Sequence, residues 1–188
     1  MRIATAILFP TLVLLGLSGQ GCRHGDPRMV ATIDSLLRTT DSLDAIVNGI
    51  DIAVYRRMDS TFRSQRTWIE QRFADTLDPD QAMILGNYHR AMSRSLGRVL
   101  KHHEEMHNEL ALSRKQLTAL RHDVDRGLLH DNPKATYFGQ EELVLRQLGT
   151  SVDVLRSSAA TAQREWERYH LKVDSLMLRS DTLARPRP

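Results

Sequence analysis

The residues best suited to chemistry lie in one stretch, Lys101-His102-His103-Glu104-Glu105-Met106-His107-Asn108-Glu109. His103 and His107 stand four residues apart, so on a helix they share a face. Two imidazoles so placed can hold one zinc ion, and a glutamate beside them, here Glu104, can act as base on a metal-bound water. His102 adds a further imidazole next to the pair.

His103-Glu104-Glu105-Met106-His107 is a formal match to the H-E-x-x-H pattern of zinc metallopeptidases. Three features argue against that activity. No third ligand stands at a recognisable spacing, no strand-like segment could hold a substrate peptide, and His103 falls on the apolar stripe of its own helix. A di-iron bundle built on Glu104…His107 and Glu167…His170 fails on level, because the two pairs lie ~12 Å apart along the axis. Its companions Glu70 and Glu141 or Glu142 sit near the bundle ends. The reading is therefore a partly buried His103 with solvated neighbours, no catalytic residues and no cofactor. A non-catalytic metal site in the His102–His107 cluster, on His103 and His107, stands as the alternative.

The elements that carry these residues are helical. Asp78-Pro79-Asp80 and Asp131-Asn132-Pro133 are helix-boundary signals, and between them the chain divides into 29–77, 80–130 and 134–184. Each segment repeats apolar residues at alternating threes and fours, the period of coiled-coil packing. The last runs through Phe138, Leu145, Leu148, Val152, Leu155, Ala159, Ala162, Trp166, Tyr169, Val173, Leu176 and Leu183, with Glu141 and Ser180 breaking its character. The first runs from Met29 to Val54 and then shifts phase to Met58, Phe62, Ile69 and Phe73; the middle one includes His103 and Ser113. Short connections make sequential helices antiparallel. The expected fold is all-α, an elongated antiparallel three-helix bundle with helices of ~75 Å. A helical hairpin that completes its seam in a dimer is the rival. Folding about Pro133 brings Trp166 near Gly97, and folding about Pro79 brings Trp68 near Gly86. Gly49, Gly97 and Gly149 are the expected points of bending.

Composition narrows the function. Of 188 residues, 41% are hydrophobic, 26% charged and only 5% aromatic, which suits narrow helical seams. The net charge of +3 comes from interspersed signs without a basic block, so a nucleic-acid footprint is missing. There is no Gly-rich phosphate loop and no local nucleophile set, and hence no small-molecule substrate to name. The long seams suit a protein partner or self-association.

The N-terminus carries an address. Arg2 precedes an apolar run, Ile3–Leu17, interrupted by Pro10 and too short to span a bilayer as a stable helix. Small residues follow, Ser18-Gly19-Gln20-Gly21, and then Cys22, the one cysteine of the chain. The segment resembles the signal of bacterial lipoproteins, although Gly19 stands where that class usually carries Leu. The resemblance implies a signal peptide over 1–21, diacylglycerol on Cys22 and a lipidated tether over 22–28. The bundle over 29–184 and a tail over 185–188 complete the domain reading. Because Arg23 rather than Asp follows Cys22, it further implies a lipid anchor in the outer membrane, facing the periplasm. Ordinary cleavage near Gly21 and retention as an anchor are the alternatives. The expected protein is thus a non-enzymatic envelope lipoprotein that serves as a scaffold or binds a partner.

Overall fold

The computed structural model describes residues 25–72, 77–129 and 131–184. Cys22, the signal segment, Phe73 and the 185–188 tail lie outside them. Helix α1 spans Pro27–Asn48, α2 Ile52–Arg72, α3 Pro79–Arg90, α4 Gly97–Asp125 and α5 Asp131–Ala184, with a π-helical segment, Ala91–Leu96, joining α3 to α4. No strand occurs among the described residues. The elements form three antiparallel rods, α1–α2, α3–π–α4 and α5, packed together as an all-α helical bundle. The seams close within one chain, so the dimeric hairpin rival does not apply.

The start of the bundle follows from local chemistry. The Asp26 carboxylate accepts from the backbone N–H groups of Arg28 and Met29 at 3.2 and 3.1 Å, with Pro27 at the first helical position. The helix thus begins two residues before the expected 29. Gly25 lies so close to the Asp125 backbone that a Cβ would collide with it, which docks the tether end against the end of α4.

The first rod breaks once. Gly49 and Ile50 donate to the carbonyls of Ala45 and Val47, and the Asp51 carboxylate then accepts from Ala53 N–H at 3.0 Å. One helix is closed and the next capped within three residues. Across this break the seam changes phase, and Tyr55, Met58, Phe62, Gln65 and Ile69 become the buried set. Of the other two glycines, Gly97 directly follows the π segment, whereas Gly149 lies inside an unbroken α5.

The second turn lies earlier than its prolines suggest. Gly127 has φ 64°, and the N–H groups of Gly127 and Leu128 return to the carbonyls of Val124 and Asp123. That is a Schellman closure, which favours glycine because a side chain is strained at positive φ. Pro133 falls in the first turn of α5, where the missing N–H costs nothing. Moving the turn from Pro133 to Gly127 changes the register. Trp166 lies near Tyr88, with ring centroids 6.1 Å apart and planes tilted by 38°, rather than against Gly97. A Cβ added at Gly86 or Gly97 would meet open space, so the expected pairing of tryptophans with glycines does not form.

Two hydrophobic clusters fill the bundle. The larger includes Val47, Met58, Phe62, Tyr88, Leu96, Leu110, Leu148 and Val152; the smaller is Ile33, Leu117, Leu120 and Val124, with Phe138 against it. Between them each rod places a polar residue on its seam: Thr40, Ser113 and Glu141. Thr40 bonds back to the Leu36 carbonyl at 3.0 Å. Ser113 Oγ and Glu141 Oε2 are buried without a hydrogen bond. Burial raises the Glu141 carboxyl above its usual range.

Candidate functional site

The histidine stretch lies on α4 where it passes the break between α1 and α2. His103 and His107 do share a face, with ring centroids 5.1 Å apart at 70°. His103 is half-buried, as expected, and its Nε2 donates to the Val47 carbonyl at 3.2 Å. That carbonyl belongs to the last turn of α1, which carries no basic residue of its own. That carbonyl already accepts from Ile50 N–H at 3.1 Å, so the imidazole adds a second donor, from the adjoining rod, at the partly negative end of the helix. His107 reaches the same end from one turn further, with Nδ1 3.5 Å from Asp44 Oδ1. Arg114 completes the set against Asp41 and Asp44. The histidine face is thus directed at a helix end, and the seam position of His103 explains why.

The other members point elsewhere. His102 Nδ1 lies 2.6 Å from Glu105 Oε2 on the outer side of α4. Glu104 is exposed. Among the described residues no group of three or more His, Cys, Asp or Glu side chains is arranged to hold a metal ion. The Glu104…His107 and Glu167…His170 pairs are further from level than expected, because folding at Gly127 separates them by ~24 Å along the axis. His170 instead donates to the Trp166 carbonyl at 2.7 Å and stacks on that indole, with centroids 4.7 Å apart and planes 5° from parallel.

Sequence reasoning missed two arrangements. The first is a buried polar chain that ties three elements together: Tyr88 Oη donates to Gln65 Oε1 at 2.7 Å, and Gln65 Nε2 donates to Asp174 Oδ1 at 2.6 Å. The seam pattern held a clue, since Gln65 stands midway between Phe62 and Ile69. The second is a groove between the π segment and α5 lined by Arg90, Arg94, Arg98 and Arg168. Its sequence signal is arginine at steps of four, which a test for contiguous charge blocks overlooks.

Salt bridges fix the rods against each other at their ends. Arg121 of α4 holds Asp34 of α1 at 2.6 Å, and this hydrogen bond keeps the Asp34 carboxyl below its ordinary range. On α2, Arg66 does the same for Glu70, with His89 of α3 at 3.6 Å adding to the effect. Both carboxylates are well solvated, so these contacts set register more than stability.

Among the described residues no helix is long and apolar enough to cross a membrane. Comparison with protein-family models, with curated proteins and with solved structures finds no match to the chain.

Proposed function

We propose that the protein is a cell-envelope lipoprotein without enzymatic activity, tethered through a lipid on Cys22, whose helical rod presents a surface to a protein partner. The observation that carries this reading is the use made of the histidines. The two imidazoles that could share a metal, His103 and His107, are turned to the end of α1, where His103 donates to the Val47 carbonyl and His107 lies beside Asp44, while Glu104 faces away from them. A histidine committed to capping an inner helix end contributes packing rather than turnover.

The outer surface supports the partner-binding part. Leu143, Leu171 and Leu178 on α5 are 52%, 66% and 69% exposed and stand whole heptads apart. Residues at one heptad position line one side of a bundled helix, and exposed apolar positions repeated along a rod suit contact with another elongated surface. Because the seam residues are buried within the chain's own bundle, self-association would have to use these outer positions instead. The signal over 1–21, with Cys22 at its end, supports export and anchoring.

Two measurements test the proposal. Mass spectrometry of the N-terminal peptide should find acyl chains on Cys22 and none after Cys22→Ser; an unmodified thiol overturns the tether. Crosslinking in cells should capture a defined partner that is lost on Leu171→Glu with Leu178→Glu. A chain that crosslinks to nothing, or a partner indifferent to that pair, overturns the binding surface.

A further inference from the structure

Four arginines gather where the π segment packs on the middle of α5. Arg90, Arg94 and Arg98 stand four residues apart through this segment and line a groove of about 420 Å³ with Thr161, Glu165 and Arg168 of α5. In a regular α-helix, steps of four wind slowly around the axis. A π turn holds more residues than an α turn, which reverses part of that drift. The irregular segment therefore keeps three guanidinium groups along one groove, and π segments of this kind are frequent at functional sites.

The chain does not balance these charges. Glu165 is the one carboxylate in the groove, and it is engaged by Arg164 at 3.1 Å. Arg98 donates to Ser158 Oγ at 3.2 Å, and Arg168 lies over the Tyr169 ring. The Arg90 and Arg94 side chains form no hydrogen bond or ion pair with any described residue. Like charges four apart on a helix oppose folding, so an anion from outside would recover what their repulsion costs.

From this geometry we infer that the groove binds a sugar or polyol carrying two phosphate groups. Successive arginines rise ~6 Å along the axis, a spacing that suits separate phosphates rather than one compact ion. Each guanidinium offers a planar fork that pairs with phosphate oxygens in two hydrogen bonds. Arg164 holds one oxygen of the Glu165 carboxylate, and the other can accept from the hydroxyls of a sugar, which a bare polyphosphate does not offer. The groove lies ~50 Å along the rod from the turn at Gly127. The inference stands independently of the envelope reading.

Calorimetric titration of the full chain in non-ionic detergent tests it, with a hexose bisphosphate and inorganic pyrophosphate as probes. The bisphosphate should bind one per chain, and more tightly than pyrophosphate. Arg90→Gln with Arg94→Gln should weaken it by about tenfold or more, and Arg94→Lys, which keeps the charge but loses the fork, should weaken it less. Arg56→Gln with Arg57→Gln removes the same charge from the exposed side of α2 and should leave affinity within about twofold. Thermal melts establish that each variant is folded. Cosedimentation with phosphatidylcholine vesicles, with and without a bisphosphorylated glycolipid, distinguishes the source. Titration alone places the ligand in solution, and sedimentation that depends on Arg90 and Arg94 places it on a lipid headgroup. No binding to either probe or vesicle, or equal loss in both double variants, overturns the inference.

Discussion

Replacing Gln65 with leucine should destabilise the bundle by about 2–3 kcal/mol. Gln65 is 2% exposed and makes two short hydrogen bonds, accepting from Tyr88 Oη at 2.7 Å and donating to Asp174 Oδ1 at 2.6 Å. Tyr88 is fully buried, with its ring edge-on to Phe62 at 5.8 Å and near Trp166 at 6.1 Å, so its hydroxyl cannot turn to water. Burial also pushes that phenol well above its usual ionisation range, so it stays a donor at any ordinary pH. Leucine in place of Gln65 leaves the hydroxyl unpaired, at about 1–3 kcal/mol. Asp174 is half-buried and can recover water, so its lost bond costs less. The added apolar contact offsets about 1 kcal/mol. Tyr88→Phe alone should cost about 1–2 kcal/mol by orphaning Gln65 Oε1. The double variant decides the matter: once Gln65 is gone, removing the hydroxyl should cost nothing further and relieve the unpaired donor. Urea unfolding followed by far-UV circular dichroism measures all four corners of the cycle. Additivity within about 0.5 kcal/mol, or a Gln65→Leu effect below about 1 kcal/mol, would refute the reasoning.

Three further outcomes follow from the geometry. Glu141→Leu, and separately Ser113→Ala, should stabilise the fold by about 1 kcal/mol each by removing buried unpaired oxygens. The Glu141 carboxyl is raised on folding, so its penalty appears as pH rises through the raised value; the gain from Glu141→Leu should be larger at pH 8 than at pH 4 in the same urea assay. Asp34 has the opposite sign: its carboxyl is lowered in the folded state, so the Arg121 contact supports the fold above the ordinary carboxylate range and fades as pH falls below it. Acid titration of Asp34→Asn should therefore show a flatter loss of stability than the parent chain. His103→Ala should cost about 1 kcal/mol by removing the bond that ties α4 to the end of α1, while zinc titration of the parent should give no site lost on His103→Ala with His107→Ala; a micromolar site that depends on both would restore the metal reading.

The histidine motif illustrates how far local pattern can mislead about chemistry. Spacing alone put His103 and His107 on one face, and they are on one face. What the spacing could not convey is what that face meets. Val47, at the end of α1, lies 56 residues earlier in the chain, and only packing of the two rods brings its carbonyl opposite the imidazole. The arginine groove was hidden for a related reason, since Arg168 joins Arg90, Arg94 and Arg98 only after α5 folds back. Gly127 was legible in principle: a glycine after a charged helix end is a stop signal as strong as the proline that follows it.

Helical content, the three-rod division and most buried positions are properties of the sequence alone, because a period of three and four residues acts within each segment and needs no partner to be read. The seam of α5 from Leu145 to Val173 is buried almost residue for residue, with Trp166 half-exposed. Register is different. A turn at Gly127 rather than at Pro133 slides α5 along α4 and exchanges the neighbours of α5, so Trp166 meets Tyr88 instead of Gly97. The polar layer of Thr40, Ser113 and Glu141 and the arginine groove depend on that slide, and the His103 contact at the end of α1 depends on how α1 docks on α4. They are decided by tertiary structure because each needs residues from two or three rods at one level, and level is a property of how the rods dock.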